Sequence, residues 1–225
     1  MSDNPVLTRI RAALAIDPRQ EAERAETVAH RLGHPPAHLR PAFARCEGEA
    51  REARLRVCFE AQGVELVPIP TRRALPAAVT ALTATLAPTA RLVIGDDERL
   101  TALDWSGKSA PQPWSREDTL GDGTAALTHA VAAVAETGTL VLTSRPASPA
   151  LLAFLPELHI VALDRATIVP AFEDAFARLT ERIAGARWPR AVNLVSGASR
   201  TGDIGGRIVK GAHGPRRLAV VLYGE

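Results

Sequence analysis

The chain is poor in several residues that mark particular classes of protein. It has two cysteines among 225 residues, and Cys46 and Cys58 have neither the zinc-ribbon nor the iron–sulfur ligand spacing. The six histidines form no His-x-x-His or His-Glu-x-x-His pattern, so we expect no metal site made by this chain alone. We therefore expect that this chain binds no cofactor of its own.

Aromatic residues, lysines and long apolar runs are also scarce. Aromatics make up 4% of the residues, and the arginines alternate with acids at a net charge of +2, which argues against nucleic-acid binding. No run approaches the roughly 18 apolar residues of a membrane helix, and the N-terminus lacks the apolar core of a signal peptide. We expect no membrane insertion and a cytoplasmic location.

The first 62 residues have a helical pattern. Asn4 and Pro5 are typical of a helix start, and a second, more charged helix is predicted from Pro18 to about Leu32. A third helix is predicted from apolar residues that recur at steps of four and three: Leu39, Phe43, Cys46, Ala50, Ala53 and Val57. This pattern predicts a helical N-terminal extension over residues 1–62.

From Gly63 onward, short apolar runs alternate with helical patterns. The strand candidates are Val64–Val67, Leu92–Ile94, Leu140–Leu142, Ile160–Leu163, Val192–Val195 and Leu218–Leu222, and the helix candidates are Leu75–Leu86 and Ala171–Ile183. A long irregular loop is expected from Leu103 to Asp122. The alternation predicts an α/β domain over residues 63–225, with a mostly parallel sheet between helical layers.

A glycine-rich segment from Asn193 to Pro215 carries the densest set of polar side chains. We predict that it runs from the end of a strand into the N-terminus of a helix, where free N–H groups and the helix dipole favour a carboxylate or phosphate. The predicted anion-binding residues are Ser196, Gly197, Ser199, Arg200, Thr201 and Asp203. In the alternative reading, these groups only cap the helix. Neither a dinucleotide turn nor a phosphate loop fits, because the chain ends too soon for the first, and the second needs a lysine where Asp203 stands.

Two further positions could carry acid–base chemistry. His213, in a turn with Gly214, is the residue of this segment whose charge changes near neutral pH, although it could equally be a turn histidine bonded to backbone. Glu136 and Thr137 lie between an alanine-rich turn, expected to be helical, and a buried strand. Burial there could raise the pKa of the glutamate and suit it to catalysis, or Glu136 could be a solvated cap.

Four stretches together resemble the LUD-domain family, and within it the lactate-utilization C proteins: AVAAVAETGTLVL, LPELHIVAL, SGASRTGDI and KGAHGPRRLAVVLYGE. The resemblance implies an α/β/α sandwich like that of the ribose-phosphate isomerase, glucosamine-phosphate deaminase and CoA-transferase group, with substrates at the carboxyl ends of the parallel strands. Recurring polar positions of the family fall on Glu136, Thr137, Ser196, Ser199, Arg200, Thr201, Asp203 and His213. Ala198 stands where relatives often have proline.

The resemblance also implies a function. Family members take part in the oxidation of L-lactate to pyruvate alongside two partner proteins that carry iron–sulfur clusters. The leading hypothesis is therefore a subunit that binds a small carboxylate, with Arg200 holding the carboxylate and His213 or Glu136 taking a proton. The alternatives are a free-standing transferase or isomerase that uses Glu136, and a purely structural subunit.

Overall fold

The computed structural model describes residues 4–14, 17–34, 40–106, 110–146, 148–183, 187–204 and 207–224. The chain divides into two compact units, Met1–Arg40 and Pro41–Glu225. The first unit contains the helices α1 (Pro5–Leu14) and α2 (Pro18–Gly33). The predicted cap of α1 is confirmed, because the Asn4 side chain accepts a hydrogen bond from the Val6 N–H at 3.0 Å. None of the described helices combines the length and apolarity that crossing a membrane requires.

The second unit contains the remaining elements. Its helices are α3 (Gly48–Gln62), α4 (Leu75–Leu86), α5 (Glu98–Thr101) and α6 (Phe172–Ile183). Its strands are β1 (Glu65–Ile69), β2 (Arg91–Ile94), β3 (Gln112–Pro113), β4 (Thr124–His129), β5 (Ala132–Val134), β6 (Thr139–Thr143), β7 (Leu158–Asp164), β8 (Ile168–Val169), β9 (Val192–Val195), β10 (Arg200–Ile204), β11 (Arg207–Lys210) and β12 (Arg217–Tyr223).

The main sheet has six parallel strands in the order β1-β12-β7-β4-β2-β3. Its central strands β7 and β12 are buried along nearly their whole length, as expected for parallel strands covered on both faces. The predicted α/β class with a parallel sheet between helical layers is confirmed.

Each face of the main sheet has its own apolar cover. On one face, α4 packs Leu75, Val79 and Leu82 against the sheet. On the other face lie α3 and a second sheet of four strands in the order β8-β5-β6-β9. Helix α6 covers the outer side of that second sheet through Ala175 and Leu179. This second sheet is an addition to the layers predicted from the sequence.

The third helix differs from the prediction. The segment Ala42–Ala44 is a short 3-10 turn, and α3 begins only at Gly48, whose φ of +52° turns the backbone away from the preceding path. The residues that α3 buries are Leu55 and Phe59, whereas Val57 of the predicted apolar face is 57% exposed. Leu39 lies outside the described residues.

Helix α3 therefore belongs to the core of the α/β unit. Leu55 and Phe59 pack with Val64, Val161 and other residues of the main and second sheets. The compact units divide between Arg40 and Pro41, whereas the helical pattern of the sequence predicts an extension that reaches residue 62.

Candidate functional site

The glycine-rich segment forms a β-hairpin, and the predicted helix N-terminus is wrong. After β9, a turn at Gly197 with φ of +92° leads into β10, which pairs antiparallel with β11. The register places Arg200 opposite Lys210 and Thr201 opposite Val209. β-Branched residues favour strands, and glycine is among the poorest residues in a helix interior, so the local sequence supports the extended form.

Four of the predicted site residues gather at the C-terminal end of α3. Ser196 Oγ and Thr139 Oγ1 are 2.6 Å apart, and Thr139 Oγ1 lies 2.7 Å from Thr137 Oγ1. The Gln62 amide donates to the carbonyl of Thr137 at 2.7 Å, and a Cβ on Gly197 would meet the Gln62 side chain. The Arg200 guanidinium donates to the Gln62 carbonyl at 2.9 Å. A cation at a helix C-terminus complements the helix dipole, so Arg200 already has a structural partner.

The remaining residues of the predicted anion site lie along the hairpin and the turn before β12. Ser199 Oγ accepts a hydrogen bond from the backbone N–H of His213 at 3.3 Å, and the imidazole of His213 is exposed. Gly214 packs against the Ser199 side chain. Thr201 lies in β10, as does the backbone of Asp203, whose side chain lies outside the described part of the structure.

Glu136 occupies the N-terminal end of α6. Its side-chain Oε1 accepts the backbone N–H of Phe172, the first residue of that helix, at 3.0 Å. A carboxylate at this end is favoured by the helix dipole. The alanine-rich turn before it, expected to be helical, is the extended strand β5. No contact among the described residues joins Glu136 to His213, and a catalytic role for either stays a prediction.

The direction of the parallel strands shows on which edge this segment lies. His213 and Gly214 lie in the turn that leads into β12, which begins at Arg217, and Gly63, beside Arg200, lies two residues before β1. These residues therefore lie at the amino edge of the main sheet. Open α/β sheets bind their ligands at the opposite, carboxyl edge.

At the carboxyl edge, a histidine and a tyrosine meet. His129 ends β4 and Tyr223 ends β12, and His129 Nε2 lies 2.7 Å from the Tyr223 hydroxyl. His129 Nδ1 lies 2.6 Å from the carbonyl oxygen of Ala130. Because a carbonyl only accepts, we assign the proton to Nδ1, so Nε2 accepts the hydroxyl proton of Tyr223.

Burial sets the protonation states of this pair. Desolvation, with the nearby Arg99 charge second, lowers the pKa of His129 from 6.5 to about 4, so the ring is neutral near pH 7. Burial, with the Asp164 charge second, raises the pKa of Tyr223, so its hydroxyl stays protonated. The pair is thus a neutral donor and a neutral acceptor.

An ion pair stands beside the histidine. Asp97 follows β2 and holds Arg99 through two hydrogen bonds of 2.9 and 2.7 Å. Burial alone would raise the pKa of Asp97, but its hydrogen bonds with Arg99 and the charge of that residue outweigh burial and lower it. The carboxylate of Asp97 is therefore ionised, and the guanidinium of Arg99 balances its charge.

A narrow polar cavity opens next to this cluster, between the carboxyl edge and the second sheet. Its polar lining consists of Asp97, Thr128, His129, Thr143, Arg145, Ser148 and Asn193. Gly95 makes the close approach of the two layers possible, since a Cβ there would overlap the Ser148 side chain. The cavity leads into a wider cleft, and Thr143, Arg145, Pro149 and Ala150 line both. Among the described residues, no group of three or more His, Cys, Asp or Glu side chains could hold a metal ion.

Comparison with known proteins identifies the family. The model of the LUD domain family matches residues 91–223. The chain belongs to the LUD domain family. Lactate utilization protein C of an Exiguobacterium species is 32% identical over 142 residues, which cover 59% of this chain and 61% of that protein. Lactate utilization protein C of Geobacillus thermodenitrificans is 36% identical over 90 residues, or 40% of this chain and 38% of that protein.

The alignments with these relatives therefore span about three fifths of their length or less. Among solved structures, a DUF162 family protein from Deinococcus radiodurans resembles this chain with a TM-score of 0.59 at 21% identity, covering 80% of this chain and 99% of that one. At this identity the likeness shows a shared fold.

Both edges of the sheet contribute to the matched LUD domain. Its range contains the glycine-rich hairpin and also the carboxyl-edge residues Asp97, His129 and Tyr223. Sequence reasoning missed the carboxyl-edge cluster because β4 is rich in small residues and was not assigned as a strand. The available signal was a Gly-Asp-Asp sequence directly after one short apolar run, and a Thr-His pair directly after another.

Proposed function

We propose that this LUD domain serves lactate utilization by binding a small carboxylate such as lactate or pyruvate. The metabolic context comes from the printed names of its relatives, which call several of them lactate utilization protein C. The choice of a carboxylate as the ligand rests on the side chains that line the cavity. Cytoplasmic location and two iron–sulfur partner proteins belong to the same proposal and rest on the family resemblance.

The observation that carries the binding site is the position of Arg145. It lies where the narrow cavity meets the wider cleft, with Thr128, Ser148 and Asn193 in the cavity beyond it. The cavity has a volume of about 20 Å³, so only the carboxylate end of the acid would enter it and the rest would lie in the cleft. Arginine pairs with a carboxylate through two parallel hydrogen bonds, and the hydroxyl and amide groups provide further donors. Asp97 does not compete for Arg145, because Arg99 holds both of its oxygens.

The same geometry favours binding over proton transfer. Nδ1 of His129 donates to a carbonyl, and Nε2 accepts from Tyr223, so neither ring nitrogen has a free lone pair for a substrate proton. The tyrosine hydroxyl would have to turn away before His129 could act as a base. In the proposed division of labour, this chain holds the hydroxy or keto acid, and electron transfer takes place on the iron–sulfur partners.

Calorimetric titration with L-lactate and with pyruvate tests the proposal. Arg145→Gln should raise the dissociation constant about tenfold or more, since a charge-assisted pair contributes about 1.5–3 kcal/mol. Arg200→Gln is the matched control, because it removes the same charge at the amino edge and should leave the affinity unchanged. The reverse pattern would place the carboxylate at the glycine-rich hairpin, and no heat of binding with the native chain at millimolar acid would refute the proposal.

A further inference from the structure

The wider cleft carries an unusual concentration of arginine. It has a volume of about 810 Å³ and lies between the ends of β6 and α6, the segment 187–191 and the loop before β4. Its cationic residues are Arg116, Arg145, Arg182, Arg187 and Arg190, and no carboxylate is found among the described residues that line it. We call it the arginine cleft. Ligand pockets of small molecules fall in this range of volume.

The cleft arginines have no carboxylate partner among the described residues. Five arginines elsewhere in the described residues pair with carboxylates: Arg56, Arg91, Arg99, Arg165 and Arg216. Among the described residues, none of the five cleft arginines forms such a pair. Their positive charge is therefore available to a ligand.

Crowding of like charge is visible at the end of α6. Burial, with the charges of Arg99 and Arg145 next, lowers the pKa of Arg182. Like charges held close together repel each other, and a bound anion would relieve that repulsion. A single carboxylate neutralises one arginine, whereas two or more phosphate groups match several.

One wall of the cleft suits an aromatic ring. Trp188 lies in the lining between Arg187 and Arg190, and it is 52% exposed. Apolar residues such as Leu179 and Ile183 continue the wall beside it. A large exposed aromatic ring flanked by cations is the arrangement on which bases stack while their phosphates pair with arginine.

We propose that the arginine cleft binds a nucleotide, a small ligand that joins two or more phosphate groups to an aromatic base. The phosphates would pair with Arg187, Arg190 and Arg116, and the base would stack on Trp188. The inference does not depend on the carboxylate proposal, because Arg116, Arg187, Trp188 and Arg190 do not line the narrow cavity.

Calorimetric titrations of the full chain with ATP, inorganic tripolyphosphate and adenosine test the inference. The double substitution Arg187→Gln and Arg190→Gln should raise the dissociation constants of ATP and tripolyphosphate at least tenfold. Arg73→Gln with Arg217→Gln removes the same charge from exposed positions of the α/β unit that do not line the cleft, and should change neither constant. Trp188→Ala should raise the dissociation constant of ATP severalfold and leave that of tripolyphosphate unchanged. This difference separates the contribution of stacking from that of charge.

Any one of three outcomes would overturn the proposal of a nucleotide site. One is the absence of ATP binding to the native chain, and another is equal weakening by the cleft and control double variants. A third is a single-stranded DNA that binds more tightly than ATP and loses affinity in the cleft variant, since the cleft would then serve nucleic acid. The carboxylate proposal is measured with pyruvate and the nucleotide proposal with ATP and tripolyphosphate, so failure of one proposal is distinguishable from failure of the other.

Discussion

Replacing His129 should remove part of the chain's sensitivity to acid. Burial lowers the pKa of His129 from 6.5 in an unfolded chain to about 4 in the native state. Between these pH values the unfolded chain binds a proton at His129 that the native state does not bind. The contribution of His129 to the free energy of unfolding is therefore fully present above pH 6.5 and is lost as the pH falls toward 4. The loss from this one ring amounts to about 3 kcal/mol, at about 1.36 kcal/mol per pH unit.

The assay is urea unfolding at a series of pH values from about 7 down to about 4.5. In His129→Gln the free energy of unfolding should fall less steeply over this range than in the native chain. The variant will also lose some stability near pH 7, because the buried Tyr223 hydroxyl must find a new acceptor. The informative quantity is therefore the slope.

One comparison completes the experiment. His159 is fully buried, and desolvation lowers its pKa to about 3, so His159→Gln should flatten the acid limb in the same direction. Parallel curves for the native chain and His129→Gln would show that the native state accommodates a charged His129, which would refute the reasoning about this site.

Three further predictions concern packing and the cap of α6. Phe59→Ala should destabilise the α/β unit by about 3–5 kcal/mol, whereas Val57→Ala on the exposed side of the same helix should cost less than about 0.5 kcal/mol; equal effects in urea unfolding would contradict the placement of α3 in the core. Gly95→Ala should lower the free energy of unfolding by about 1–3 kcal/mol, because the new methyl group overlaps the Ser148 side chain. An unchanged melting temperature would contradict the close contact between Gly95 and Ser148. Glu136→Gln should cost about 0.3–1 kcal/mol through the helix dipole and retain lactate oxidation with the reconstituted partners; loss of oxidation in a stable variant would support the catalytic prediction instead.

Much of the fold follows from apolar runs in the sequence. Helix α4 has the predicted bounds, and β7 and β12 are the two longest runs of buried residues in the sheet. Such segments are recognisable because local pattern and tertiary burial agree. Strand β4 escaped prediction because alanine has little strand preference, and its place in the sheet depends on pairing with β2 and β7.

The candidate site depends on contacts that no local pattern contains. His129 and Tyr223 lie 94 positions apart in the sequence and meet only because β4 and β12 end at the same edge of the sheet. The glycine-rich segment, in contrast, drew attention through its composition. Its role as a hairpin at the amino edge follows from strand order, which glycine and polar content do not encode.

The central claim is that a small carboxylate binds beside Arg145 at the carboxyl edge of the main sheet. The most direct measurement is an NMR titration of the isotope-labelled chain with pyruvate, following the backbone amide signals. The account predicts that the largest shifts occur at Thr128, Arg145, Ser148 and Asn193. Shifts concentrated at residues 196–201 and 213–214, or no shifts at millimolar pyruvate, would contradict it.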